Sequence, residues 1–157
     1  MIRKFTIGGA LCAAFFLSAC LKNKNEESCV TKTLEQDLPV MTQFATDSSI
    51  TTERDEQTGL LYEILEPGNE VKPSVSSIIT VKYVGRRMNG IQFDASESLR
   101  YSLSQLIPGW QVALPKIGVG GKMKIIIPSS LAYGCYTLDP VVSNQPLYFY
   151  IELLKVE

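Results

Sequence analysis

The only tryptophan of this 157-residue chain, Trp110, directly follows a Pro-Gly pair in the run Leu106-Ile107-Pro108-Gly109-Trp110. Other aromatics fall where an extended chain would present them on one face: Tyr83, Phe93 and Phe149, with Tyr133 in a glycine-containing stretch. The chain has no histidine. That removes Ser-His-Asp and Cys-His nucleophilic catalysis and the commonest zinc-ligand sets, so no metal and no cofactor is expected. What remains is chemistry by shape and solvation. An apolar aromatic cup with a few polar groups, here Asp94 and Tyr133, is the composition of a small-ligand or peptide pocket. The plainer alternative is also open. Large aromatics stabilise cores by burying area, Asp94 can cap a turn, and Tyr133 can be structural beside Gly134.

The elements that must position these residues read mostly as strands. Residues 60–65 form one, closed by Pro67-Gly68. In residues 77–84, Ile79, Val81 and Tyr83 alternate with Thr80 and Lys82, so one face is buried. Asn89-Gly90 is a hairpin signal, because both turn positions favour positive φ, and residues 91–94 return from it. Pro108 opens a short helix and Pro115 ends it. Gly118, Gly120 and Gly121 form a turn into the strand at 122–127. A long loop, 129–144, precedes the last strand, 147–156, with Phe149, Ile151 and Leu153 on one face. Upstream, residues 33–46 are weakly helical, with Pro39 placed in the first turn and Val40, Met41 and Phe44 on one face. This segment is expected to pack on the fold or to pair two copies into a homodimer. The sum is an α+β fold, an antiparallel sheet with one short helix covering its concave side.

The ends of the chain speak to location. Arg3 and Lys4 precede an apolar run at 5–17, too short and too rich in small residues to span a bilayer. Leu17-Ser18-Ala19-Cys20 resembles a bacterial lipobox, which implies a cleaved leader at 1–19 and lipid on Cys20; an ordinary secretory signal is the alternative. Either reading exports the protein. Residues 20–58 then serve as tether and N-terminal extension, and 59–157 as the folded domain. The net charge is −1, more negative once Arg3 and Lys4 are removed, and no basic stripe suggests nucleic acid. Cys12 leaves with the leader, so Cys29 and Cys135 remain. Export permits a disulfide between them, and two free thiols are the alternative.

Five ordered blocks carry a family resemblance: Val81-Lys82-Tyr83-Val84-Gly85; Asn89-Gly90 with Phe93-Asp94 and Ser96; Leu106-Ile107 with Gly109-Trp110; Leu131-Ala132-Tyr133-Gly134; and Pro146-Leu147 with Phe149, Ile151, Glu152 and Leu153. Together with Gly118 and Gly120, they are similar to the FKBP-type peptidyl-prolyl cis–trans isomerases over about residues 59–157. The resemblance implies a twisted antiparallel β-sheet wrapped around one short α-helix. It implies Trp110 as the floor under a proline ring and Tyr83, Phe93, Leu99, Leu106, Ile107 and Phe149 as walls. The Ile107 N–H and the Tyr133 hydroxyl become donors to substrate carbonyls, Asp94 the polar group at the rim, and Val141 a substrate contact. Proline-containing polypeptides are the implied partners, with the family's macrolide inhibitors as competitors. A non-catalytic binding module or holdase, and a purely structural lipoprotein, are the alternatives. Relatives often carry Pro-Pro before the last strand, where this chain has Val142-Ser143. The loop at 135–141, with Tyr136, Leu138 and Pro140, is also unlike the usual one.

Acylation adds roughly 0.8 kcal/mol of membrane affinity per buried methylene, so several acyl chains at Cys20 would hold the protein firmly. Cys20→Ala should therefore move the protein out of the membrane fraction or leave the leader uncleaved. A wild-type protein found wholly in the soluble fraction would contradict the lipobox reading.

Overall fold

A computed structural model describes residues 29–157. The leader and Cys20 lie outside the described residues. Helix α1 (Leu34–Asp47) is followed by strands β1 (Glu53–Arg54), β2 (Leu61–Glu66), β3 (Ile78–Arg87) and β4 (Gln92–Ser102). Helix α2 (Pro108–Ala113), β5 (Lys122–Ile127) and β6 (Leu147–Val156) complete the order. The six strands form one antiparallel sheet in the order β1-β2-β5-β6-β3-β4.

The central strands follow from their periodicity. In β3 the buried positions are Ile79, Val81, Tyr83 and Gly85; in β6 they are Leu147, Phe149, Ile151 and Leu153. Their pairing sets Tyr83 against Ile151 and Gly85 against Phe149. The main core therefore lies on this face, closed by Trp110, Ala113, Leu114 and Ile117 from α2 and the turn after it. Strand β5 is buried on both sides. Met123, Ile125 and Ile127 join the main core, whereas Ile126 joins a second cluster with Leu61, Met41, Ala45 and Ile50. Helix α1 is what covers that second face, so the sheet has a helix on each side rather than one short helix alone.

Helix α1 departs from its sequence reading in two ways. It begins at Leu34, where the Gln36 side chain accepts the Thr33 N–H at 3.0 Å. Pro39 consequently sits inside the helix, not in its first turn. The lost i→i−4 bond falls on the Glu35 carbonyl, and Glu35 is exposed, so water can serve it. The buried stripe is Asp37, Met41 and Ala45, whereas Val40 faces outward with 43% exposure. The apolar stripe of α1 packs on the chain's own sheet.

Strand β4 is longer than its alternation indicated, running on to Ser102. Its half-buried residues recur every third position, Phe93, Ser96, Leu99 and Ser102. Register shifts opposite Val81/Tyr83 and Gly85/Arg86 cause this, because a bulge inserts a residue and resets the pleat. A polar edge strand with bulges shows no period of two, so only its first residues were readable. Among the described residues, no helix is long and apolar enough to cross a membrane.

Cys29 and Cys135 are joined as a disulfide, with their Cα atoms 5.3 Å apart and a sequence separation of 106. The bond links the N-terminal extension to the loop that follows Tyr133. Met41, fully buried between α1 and the sheet, reports whether α1 belongs to the fold. Met41→Ala is expected to cost about 2–5 kcal/mol through lost contacts and the cavity left behind. Urea unfolding measures this; an unchanged midpoint would show that α1 does not brace the sheet.

Candidate active site

The site is built on the short α2 and the strands beneath it. Gly109 lets the helix start lie directly on β5, since a Cβ there would come within 2.7 Å of Ile127 Cδ1. The Ile107 carbonyl accepts the Trp110 N–H at 2.9 Å, turning the chain into the helix. Gln111 reaches back to donate to the Leu106 carbonyl at 2.7 Å, which fixes the segment leading into α2. The Ile107 N–H makes no hydrogen bond among the described residues.

Trp110 is 3% exposed and packs edge-on against two rings. Its ring centroid lies 5.1 Å from Tyr83 at 84° and 5.3 Å from Phe149 at 86°. Phe93 stands edge-on to Phe149 at 5.6 Å. Edge-to-face packing directs ring hydrogens at π faces and holds the rings in fixed orientations. Gly85 makes this approach possible, because a Cβ there would lie 2.8 Å from Phe149 Cε1 and 2.9 Å from Phe93 Cζ.

A cavity of about 80 Å³ opens beside Trp110. Tyr83, Phe149, Leu106, Ile107 and Leu99 line it together with Trp110, and Asp94 and Tyr133 stand on its walls. Two residues expected in this cleft are placed elsewhere. Phe93 and Val141 line an adjoining groove with Leu138, Asp139 and Pro140; Asp94 and Tyr133 are shared between the two. Val141 is drawn into the core, with 3% exposure, rather than toward the cleft floor. Gln111 and Gly85 were not singled out for the site from sequence. Neither carries a signal beyond its neighbours, because each acts by holding others.

The polar groups are few and paired. The Tyr83 hydroxyl donates to Asp94 Oδ2 at 2.6 Å, and the Ala95 N–H donates to Asp94 Oδ1 at 2.9 Å. Burial, and then the hydrogen bond to the Asp94 carboxylate and its charge, push the Tyr83 phenol well above the ordinary tyrosine range. Burial, and then the Asp94 charge, also push up Tyr133. Both phenols are therefore neutral donors near neutral pH. Among the described residues, the buried Trp110 indole N–H has no partner and no group is hydrogen-bonded to the Tyr133 hydroxyl. The arrangement sets an apolar floor beside neutral phenol donors and one carboxylate, a shape that suits a polar-edged apolar ligand.

Residues 69–154 match the family described as FKBP-type peptidyl-prolyl cis-trans isomerase, and the chain belongs to that family. It is 37% identical over 118 residues to the FKBP-type peptidyl-prolyl cis-trans isomerase FkpA of Escherichia coli strain K12, covering 73% of this chain and 43% of that protein. It is 35% identical over 105 residues to the Outer membrane protein MIP of Legionella longbeachae, covering 64% of this chain and 45% of that protein. The matches thus span less than half the length of these curated relatives. The crystal structure of Escherichia coli FkpA superposes with a TM-score of 0.70 at 31% identity, covering 79% of this chain and 61% of that one. The crystal structure of a peptidyl-prolyl cis-trans isomerase from Pseudomonas syringae pv. tomato superposes with a TM-score of 0.67 at 32% identity, covering 80% of this chain and 97% of that one.

The raised phenols make a pH test. Stability held by a neutral buried phenol is present below the unfolded value of about 10 and is lost as pH rises through the higher folded value. In a spectrophotometric titration, Tyr83 should ionise only above the ordinary range. Asp94→Asn should lower its transition without restoring the ordinary value, because burial is the larger cause. A fully ordinary tyrosine titration in that variant would show that burial does not dominate.

Proposed function

We propose that this chain is a peptidyl-prolyl cis–trans isomerase acting on X-Pro bonds of exported polypeptides, held at a bacterial membrane by lipid on Cys20. The observation that carries this reading is the Trp110 cleft, an apolar floor flanked by the Ile107 N–H and the Tyr133 hydroxyl. Family membership supports the reaction class. The name of the Legionella relative supports a membrane setting, and the Leu17-Ser18-Ala19-Cys20 run supports the anchor.

The X-Pro bond resists rotation because amide resonance gives it partial double-bond character, with a barrier of roughly 18–20 kcal/mol. No bond is made or broken. The twisted transition state has lost resonance, so its carbonyl is less polar than that of the planar ground state. Water therefore solvates the ground state better. A cleft walled by Trp110, Tyr83 and Phe149 reverses part of that preference. Donors at Ile107 and Tyr133 then grip carbonyls held in the twisted geometry, which is stabilisation specific to the transition state. Asp94 orients the Tyr83 hydroxyl and sets the field at the rim. Each tenfold acceleration requires about 1.4 kcal/mol, so a thousandfold effect lies within reach of desolvation and two oriented hydrogen bonds. No proton transfer is required, which fits the lack of histidine.

A second reading, a holdase that binds chains without turnover, has one observation in its favour. Tyr136, Leu138 and Val142 are exposed apolar side chains, and Leu138 borders the adjoining groove. A prolyl-peptide isomerisation assay on protein beginning after Cys20 separates the two, with a family macrolide as competitor. Asp94→Asn and Phe93→Ala should each lower kcat/KM by about five- to tenfold, while far-UV spectra stay native. Unchanged turnover in both variants would remove the site assignment. Saturable binding of prolyl peptides by an inactive wild type would favour the holdase.

A further inference from the structure

Helix α1 carries a fully buried aspartate that nothing in the cleft explains. Asp37 has 0% exposure, and its Oδ2 accepts two hydrogen bonds from Ser129, from the backbone N–H at 2.7 Å and from the hydroxyl at 2.6 Å. Asp37 Oδ1 has no partner among the described residues. Ser129 is itself fully buried. A carboxyl group buried with one oxygen unserved is unfavourable for stability alone, since desolvation is only partly repaid. An apolar residue facing Ser129 is the simpler way to hold two elements together.

Ser129 shows what the arrangement fixes. Its carbonyl accepts the Ala132 N–H at 3.1 Å and the Gly134 N–H at 2.8 Å. Both residues flanking Tyr133 thus hang from the residue that Asp37 grips. Gly134 has φ +56°, and a Cβ there would lie 2.7 Å from Thr31 Oγ1. Thr31 Oγ1 accepts the Cys135 N–H at 3.3 Å, and the Asn144 side chain bonds both Lys32 and Val30, at 2.9 and 3.0 Å. The segment before and within α1 therefore clasps the Tyr133 turn at Ser129, Cys135 and Asn144. All of these clasping residues on the N-terminal side lie outside residues 69–154, the stretch that matches the family.

We propose that Asp37 is a positioning residue for the isomerase reaction: through Ser129 it fixes the turn that presents the Tyr133 hydroxyl to the cleft. The proposal rests on the reading of Tyr133 as a donor to substrate. Without the clasp, the turn would retain its bonds to Ser129 but lose its fixed distance from Trp110 and Asp94. The result would be a slower step with little change in peptide binding, because the floor and walls come from other elements.

A double-mutant cycle in the full mature chain tests this, with Asp37→Asn and Tyr133→Phe assayed on a prolyl tetrapeptide. Asp37→Asn is expected to lower kcat about fivefold with KM nearly unchanged, and to lower it less than about twofold further in the Tyr133→Phe background. Trp110 emission and far-UV spectra establish that each variant is folded. Should Asp37→Asn not fold, Ser129→Ala, which removes the hydroxyl bond to Asp37, takes its place in the same cycle. A loss of kcat that is the same in both backgrounds would overturn the proposal while leaving Tyr133 as a donor. Full activity in Tyr133→Phe would overturn both the donor reading and the proposal built on it.

Discussion

The structure turns on one steric demand: an indole must be buried under a six-stranded sheet by a helix of only six residues, yet keep one face open. Trp110 satisfies it by lying edge-on to Tyr83 and Phe149. The requirement propagates outward. Phe149 can sit beside Phe93 only because Gly85 lacks a Cβ, and α2 can lie close enough to the sheet only because Gly109 does. A side chain added at either place would displace a ring or the helix start, and the cavity beside Trp110 would close or lose its walls.

Much of this was legible from the residues. Strands β3 and β6 alternate cleanly, and Pro108 and Pro115 bracket α2, so the main core and its aromatic lining followed from period and punctuation. Strand β4 did not, because bulges on an edge strand replace the period of two with a period of three. Helix α1 was visible but misplaced at Pro39, since a proline exposed on the solvent side of a helix interior is tolerated more easily than the first-turn preference implies. Phe93, by its strand and by the resemblance, and Val141, by the resemblance alone, are expected in the cleft, and neither signal carries the distance across to the adjoining groove. The tie between Asp37 and Ser129, 92 residues apart, leaves no local pattern at all.

The N-terminal extension changes the meaning of the domain. Residues 29–47 cover the sheet's second face, carry the disulfide to Cys135, and grip the turn that holds Tyr133. A cleft whose floor comes from α2 and whose edge comes from a loop needs the two held in register. Here Trp110 packs on the sheet, and the extension is hydrogen-bonded to the turn that carries Tyr133. In sequence the same extension follows Cys20, so the part of the chain nearest the proposed membrane anchor is also the part proposed to position Tyr133.

Trp110 is the only tryptophan in the chain, so its emission reports the floor of the cleft without competing signals. Titration of the mature protein with a proline-containing tetrapeptide, and with the same peptide bearing alanine in place of proline, tests occupancy of that floor directly. A proline ring seated on Trp110 requires a saturable change in emission with the prolyl peptide, at the concentrations that half-saturate turnover, and none with the alanine peptide. Turnover of the prolyl peptide with no change in Trp110 emission, or equal changes with both peptides, would contradict the cleft as the proline site.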